Sequence, residues 1–177
     1  MIMILFGLPG TGKSYLARQL AADTRALYLN TDVIRDKMNK RGAYDDKTRH
    51  EVYERMLEEI NRSSAKEKMV IVDGTFNSKI FRYMFNKRSW ELERYLYYIE
   101  MKTAEDEVKK RMEDDRSYSE ADYSVYEKLK ATFDFMPEEH LVLHSDELEL
   151  NEMKAKVKDL IYGKRTDPKA VRNMQLQ

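Results

Sequence analysis

The stretch Gly7-Leu8-Pro9-Gly10-Thr11-Gly12-Lys13-Ser14, GLPGTGKS, follows directly on the apolar run MIMILF at residues 1–6. An unbroken apolar run closed by a glycine reads as a strand buried on both faces. The residues after it satisfy the G-x-x-x-x-G-K-S pattern in full. Glycines let successive backbone N–H groups turn inward, and the start of the next helix adds partial positive charge. Lys13 sets a cation on the outer phosphates of a nucleotide, and the Ser14 hydroxyl can take a place on magnesium. The motif therefore predicts a bound nucleotide with Mg2+, with Gly7, Leu8, Pro9, Gly10, Thr11, Gly12, Lys13, Ser14 and Tyr15 around it.

Composition narrows the rest. The chain has 177 residues, enough for one self-sufficient core. Charged residues make up 36% of it, 32 basic against 32 acidic, so the charges read as a solvated helical surface rather than one binding field. That neutrality argues against an obligate nucleic-acid binder, while a local basic groove stays open. No cysteine is present, which excludes disulfides, thiolate metal sites and cysteine catalysis. No apolar run reaches the length of a membrane span, and a soluble cytoplasmic protein is expected.

Outward from the motif, short apolar runs alternate with longer amphipathic ones. Strands are predicted at 1–6, 26–30, 68–76, 94–101 and 140–145. Helices are predicted at 14–23, 32–38, 47–65, 78–90, 103–116, 119–133 and 149–162. Thr103 with Asp106, and Ser119 with Asp122, read as capping-box starts. This alternation implies crossover connections and a parallel five-stranded sheet between helical layers, an α/β fold. One domain, 1–162, is expected, with a small helical lid at about 111–122 and a C-terminal tail over 163–177.

Holding a nucleotide does not distinguish a kinase from a switch, and the next pieces bear on that. In NTDVIRDKM, Asp32 and Arg35 lie three apart at the start of a helix after the second strand, at the carboxyl edge of the sheet. A carboxylate there can accept the proton of an attacking hydroxyl, and the arginine can clamp an anionic group of the acceptor. Read structurally, Thr31 or Asp32 is a helix cap and Arg35 a surface residue. Asp73 closes the apolar strand in VIVDGTF, where it can order magnesium or hold the acceptor, or simply begin a turn. Thr75 and Asn77 can reach the same cleft, and Arg82 can add a substrate contact. In KKRMEDDRSYSEAD, Arg111 and Arg116 fit a lid that neutralises the transferring phosphoryl group. A solvated helix explains them too, and the sequence does not decide which arginine points inward.

The order GLPGTGKS, TDVIR, VIVDGTF and an arginine-bearing lid before SEADYSVYEKL resembles small P-loop kinases of the AAA-33 type. These are related to polynucleotide 5′-hydroxyl kinases, gluconate kinase, chloramphenicol phosphotransferase and zeta toxins. The resemblance spans about residues 2–145. It implies an adenylate-kinase-like core, ATP and magnesium, with Asp32 as general base and Arg35 on a phosphate of the acceptor. The two lid arginines stand five apart, wider than the resemblance leads one to expect. The acceptor does not transfer with the fold; Lys40, Arg41, Lys47 and Arg49 are available for an anionic one. A small hydroxyl compound is expected, with a 5′-hydroxyl nucleic acid end as the alternative. A switch GTPase is disfavoured, because NKRS at 86–89 lacks the aspartate of a guanine reader.

Overall fold

Ile2–Phe6 forms the strand β1, and every one of its side chains is buried. Ile2, Ile4 and Phe6 pack into one apolar cluster and Met3 and Leu5 into the other, so a single strand joins two cores. The computed structural model describes residues 1–63, 69–114 and 123–163. Along the chain β1 is followed by α1 (Lys13–Thr24), β2 (Leu27–Asn30), α2 (Thr31–Lys37), α3 (Asp46–Arg62) and β3 (Val70–Asp73). Then come α4 (Lys79–Glu91), β4 (Leu96–Lys102), α5 (Glu105–Asp114), α6 (Tyr123–Ala131), β5 (Leu141–His144) and α7 (Leu150–Gly163).

The strands form one five-stranded sheet in the order β2-β3-β1-β4-β5, parallel throughout. α3 and α4 cover one face: Val52, Met56 and Ile60 recur at helical spacing against Ile4, Val70 and Val72. α1 and α7 cover the other, with Leu16, Leu20, Met153 and Val157 against Met3, Leu5 and Ile71. Each such side chain stabilises the fold by about 1.5–3 kcal/mol through removal from water. The expected three-layer α/β architecture is the observed one. Among the described residues no helix is long and apolar enough to cross a membrane.

Element ends differ from the sequence reading for identifiable reasons. The strand expected over 68–76 is paired only over Val70–Asp73. Beyond it the chain turns, Phe76 takes a left-handed φ of 46°, and its N–H donates to the Tyr53 hydroxyl at 3.0 Å. The helix after β2 is capped by neither Thr31 nor Asp32 but by Asn30, whose side-chain oxygen accepts from Asp32 N and Val33 N. Thr103 does not open a capping box. Its hydroxyl donates to Lys102 O, and the Asp146 carboxylate accepts from Ala104 N instead. Most of the expected lid, the Ser119–Asp122 cap and nearly all of the C-terminal tail lie outside the described residues.

Gly7 ends β1 with φ 135°, a conformation that side chains rarely adopt. A Cβ there would stand 2.4 Å from the Met101 carbonyl oxygen of β4, a backbone atom that cannot yield. Gly7→Ala should therefore lower stability by about 2–4 kcal/mol through strain and overpacking, read as a reduced urea midpoint with an unchanged slope.

Candidate active site

The parallel sheet brings the ends of β1, β2 and β3 to one edge, and a cleft of about 480 Å³ opens there. Between β1 and α1 the GLPGTGKS loop curls back on itself. The Thr11 hydroxyl and the Lys13 ammonium both donate to Leu8 O, at 2.8 and 2.6 Å. Gly12 is the N-cap of α1 in a left-handed conformation and offers no side-chain cap hydrogen bond to the first turn. First-turn N–H groups with no such bond, beside a cation, suit an anion such as a phosphate. Burial pushes the Lys13 pKa down, and the charges of Asp73 and Asp32 pull it partly back.

Asp73, the last residue of β3, is almost completely buried. Its Oδ2 accepts from the Tyr28 hydroxyl at 2.8 Å and from the Asn30 amide at 2.6 Å. Strand alternation puts Tyr28 and Asn30 on one face of β2, and Asn30 is the register partner of Asp73. The Asn30 amide also lies 3.5 Å from Ser14 Oγ, so Ser14 and Asp73 share a neighbour. These two oxygens, near the loop, fit a magnesium ion that draws its remaining ligands from phosphate and water. Among the described residues no group of three or more His, Cys, Asp or Glu could hold a metal on its own.

Asp32, in the first turn of α2, lines the same cleft as Lys13. Arg35, one turn on, pairs with its carboxylate. Burial raises the Asp32 pKa above the ordinary aspartate range, and the Arg35 charge and hydrogen bond oppose that shift. Arg35 is only 5% exposed, and its guanidinium lies over the Tyr44 ring at 4.6 Å. Its Nε is buried with no hydrogen-bond partner among the described residues. Arg49 of α3 also lines the cleft and donates to the side chain of Asn77.

Pro9, Gly10, Gly12, Lys13, Ser14 and Tyr15 all face the cleft, as do Asp32, Arg35, Asp73, Thr75 and Arg111. Gly7, Leu8 and Thr11 are not in its lining and shape the loop from behind. Arg111 of α5 is held on several sides. Its guanidinium donates to Glu107 at 2.8 Å, to Ser145 Oγ at 2.8 Å and to Ser145 O at 3.1 Å. Arg116 lies outside the described residues. Tyr28, Asn30, Tyr44, Tyr53 and Lys110 were not anticipated. The signal for the first two was present: polar residues alternating along a short strand whose neighbour ends in aspartate. Among the described residues, six basic ones (Lys13, Arg18, Arg35, Arg49, Lys110, Arg111) and three acidic ones (Asp32, Asp73, Glu107) line the cleft.

Arg82 requires a correction. It is not in the cleft lining but 4% exposed, donating to Phe76 O at 2.8 Å, Asp134 O at 3.1 Å and Phe135 O at 3.2 Å. Bonded to three backbone carbonyls, this buried arginine fastens Phe76 to the 134–135 segment and stands away from the cleft.

With this geometry in view, comparison with known proteins is informative. Residues 2–136 match the family AAA_33, described as an AAA domain. The chain belongs to the AAA_33 family. No curated protein matches it. Among solved structures, the Mycobacterium tuberculosis APS kinase CysC, in complex with AMPPNP and APS, superposes with a TM-score of 0.71 at 17% identity, over 90% of this chain and 96% of that one. A sugar kinase from Janibacter sp. HTCC2649 gives 0.70 at 15% identity, over 90% and 93%. Chaetomium thermophilum Kti12, in complex with ADP-AlF3, gives 0.66 at 17% identity, over 92% and 100%. This AAA_33 member thus has the fold of P-loop kinases.

Removing the Arg82 head group takes the donor from one buried and two partly buried carbonyls, so Arg82→Met should cost about 1–3 kcal/mol of stability in urea unfolding. In the folded variant, nucleotide affinity by calorimetry should stay within about two-fold of wild type, because Arg82 does not face the cleft.

Proposed function

We propose that this AAA_33 protein is an ATP-dependent kinase that transfers the γ-phosphate to a hydroxyl of a small acceptor. The observation that carries the reading is the position of Asp32. Its carboxylate stands in one cleft with the Lys13 ammonium, close enough for the two charges to influence each other's ionisation. Similarity in fold to a sugar kinase and an APS kinase supports a phosphotransferase of this class.

In the proposed reaction the glycine loop and Lys13 hold the phosphates, and Ser14 and Asp73 are the residues that would hold magnesium, which would neutralise phosphate charge. Asp32 accepts the acceptor's hydroxyl proton as that oxygen forms its bond to the γ-phosphorus. The bond from that phosphorus to the ADP oxygen breaks, and ADP leaves. Arg111 supplies positive charge to the moving phosphoryl group, and Thr75 lines the same cleft. Arg35 receives the acceptor. A buried guanidinium N–H without a partner costs about 1–3 kcal/mol until an oxygen pairs with it, which favours an acceptor carrying an anionic group. The cleft volume is that of small-molecule sites, which favours a compact acceptor over a nucleic acid end.

An ADP-release assay across sugars, nucleosides, phosphorylated alcohols and 5′-hydroxyl oligonucleotides tests this directly. Release that depends on a small hydroxyl compound is expected; release with oligonucleotides alone would move the acceptor to nucleic acid, and none with any would overturn the kinase reading. Asp32→Asn should keep ATP affinity within about two-fold and lower kcat by about 10²–10⁴. Lys13→Ala should weaken binding and transfer together. Because burial raises the Asp32 pKa, wild-type activity should fall on the acid side at a pH above the ordinary aspartate range. That limb should be absent from the residual activity of Asp32→Asn.

A further inference from the structure

We infer that Asn30 is a positioning residue, which ties the buried Asp73 carboxylate to the first turn of α2 and so sets where Asp32 stands. Its role in turnover rests on the kinase reading above, but the linkage itself does not. The two ends of one amide do opposite jobs. Nδ2 donates to Asp73 Oδ2 at 2.6 Å, and Oδ1 accepts from Asp32 N at 2.9 Å and Val33 N at 3.0 Å. Only one orientation of the amide satisfies all three bonds. A flipped amide would set its carbonyl against the carboxylate and its NH₂ against two backbone N–H groups. The residue is 9% exposed and Asp73 1%, so water offers little substitute at either end.

Neither neighbour can do both jobs. Tyr28 donates to the same Asp73 oxygen, but the cap of α2 is the Asn30 side chain. Aspartate would cap the helix but has no donor for Asp73, and serine has one shorter oxygen to donate and accept with, where asparagine divides the two jobs between Nδ2 and Oδ1. A second contact presses the same two segments together: a Cβ on Gly74, just after β3, would lie 2.7 Å from Thr31 Cγ2 at the start of α2. The end of β3 and the start of α2 are therefore packed as well as hydrogen-bonded, and Asp32 lies one residue beyond that contact.

Amide hydrogen exchange by NMR on the full chain without ligand tests the linkage. In Asp73→Ala the Asn30 amide loses its anchor, and the N–H groups of Asp32 and Val33 should exchange about ten-fold faster or more. Tyr28→Phe removes the other bond to the same oxygen and should leave both within about two-fold. Combining Asn30→Ser with Asp73→Ala should add little to the exchange of Asp73→Ala alone, the non-additivity expected of two residues in one linkage. Unchanged exchange in a folded Asp73→Ala overturns the inference.

Asn30→Ser, which keeps a cap and drops the amide, supplies the kinetic arm. ADP affinity should stay within about three-fold while kcat falls about ten-fold or more with KM little changed, since the glycine loop is intact and the base has moved. Wild-type kcat in Asn30→Ser would reduce Asn30 to a helix cap. If wild type phosphorylates no acceptor, the kinase reading fails and the exchange arms still decide the linkage. If wild type transfers phosphate but Asp73→Ala leaves α2 unmoved, only the linkage fails.

Discussion

β1 is the constraint on which the remainder of the molecule is arranged. It is buried on both faces and paired on both edges, to β3 and to β4. A strand so enclosed has one way out, and Gly7 takes it with the Met101 carbonyl oxygen where a Cβ would need room. The phosphate loop therefore opens at the centre of the sheet's carboxyl edge rather than at a margin. The residues of the candidate site stand relative to that exit: Asp73 one strand over, Asp32 one strand further, and Arg111 on the opposite side.

Placing ionisable groups there has a cost, and the structure shows how it is met. Asp73 is buried but receives two donors from β2. Lys13 is buried but keeps two carboxylates in its field. Burial raises the Asp32 pKa, in the direction that makes a carboxylate a better proton acceptor near neutrality. Arg35 limits that effect without abolishing it. The site thus balances desolvation against pairing for each group, and the balance differs from residue to residue.

Much of this was legible in the sequence. The strand-loop-helix of residues 1–24 is almost deterministic, because an apolar run, a glycine pattern and a helical stripe each permit one structure. Asp32 and Arg35 were legible from their distance after β2, since a parallel sheet fixes where that turn must fall. Asn30 was not, because a polar residue at a strand end looks the same whether it faces solvent or a buried carboxylate. Arg82 misled for a related reason. Its place on a helix after the DGT segment suggests the cleft, but only tertiary packing reveals that two carbonyls of the 134–135 segment, besides that of Phe76, take its donors. Chain neighbours do not reveal partners some fifty residues away.

The excess of basic over acidic groups around the cleft sits inside a chain whose charges cancel. At physiological ionic strength such a field decays over about 8 Å, so it does not extend far past the rim. A long polyanion sliding over the exterior would meet alternating signs and gain little net attraction from them. A small anion that diffuses to the mouth enters a short-range potential well between low-dielectric walls. Capture of a small anion should accordingly weaken only modestly with added salt.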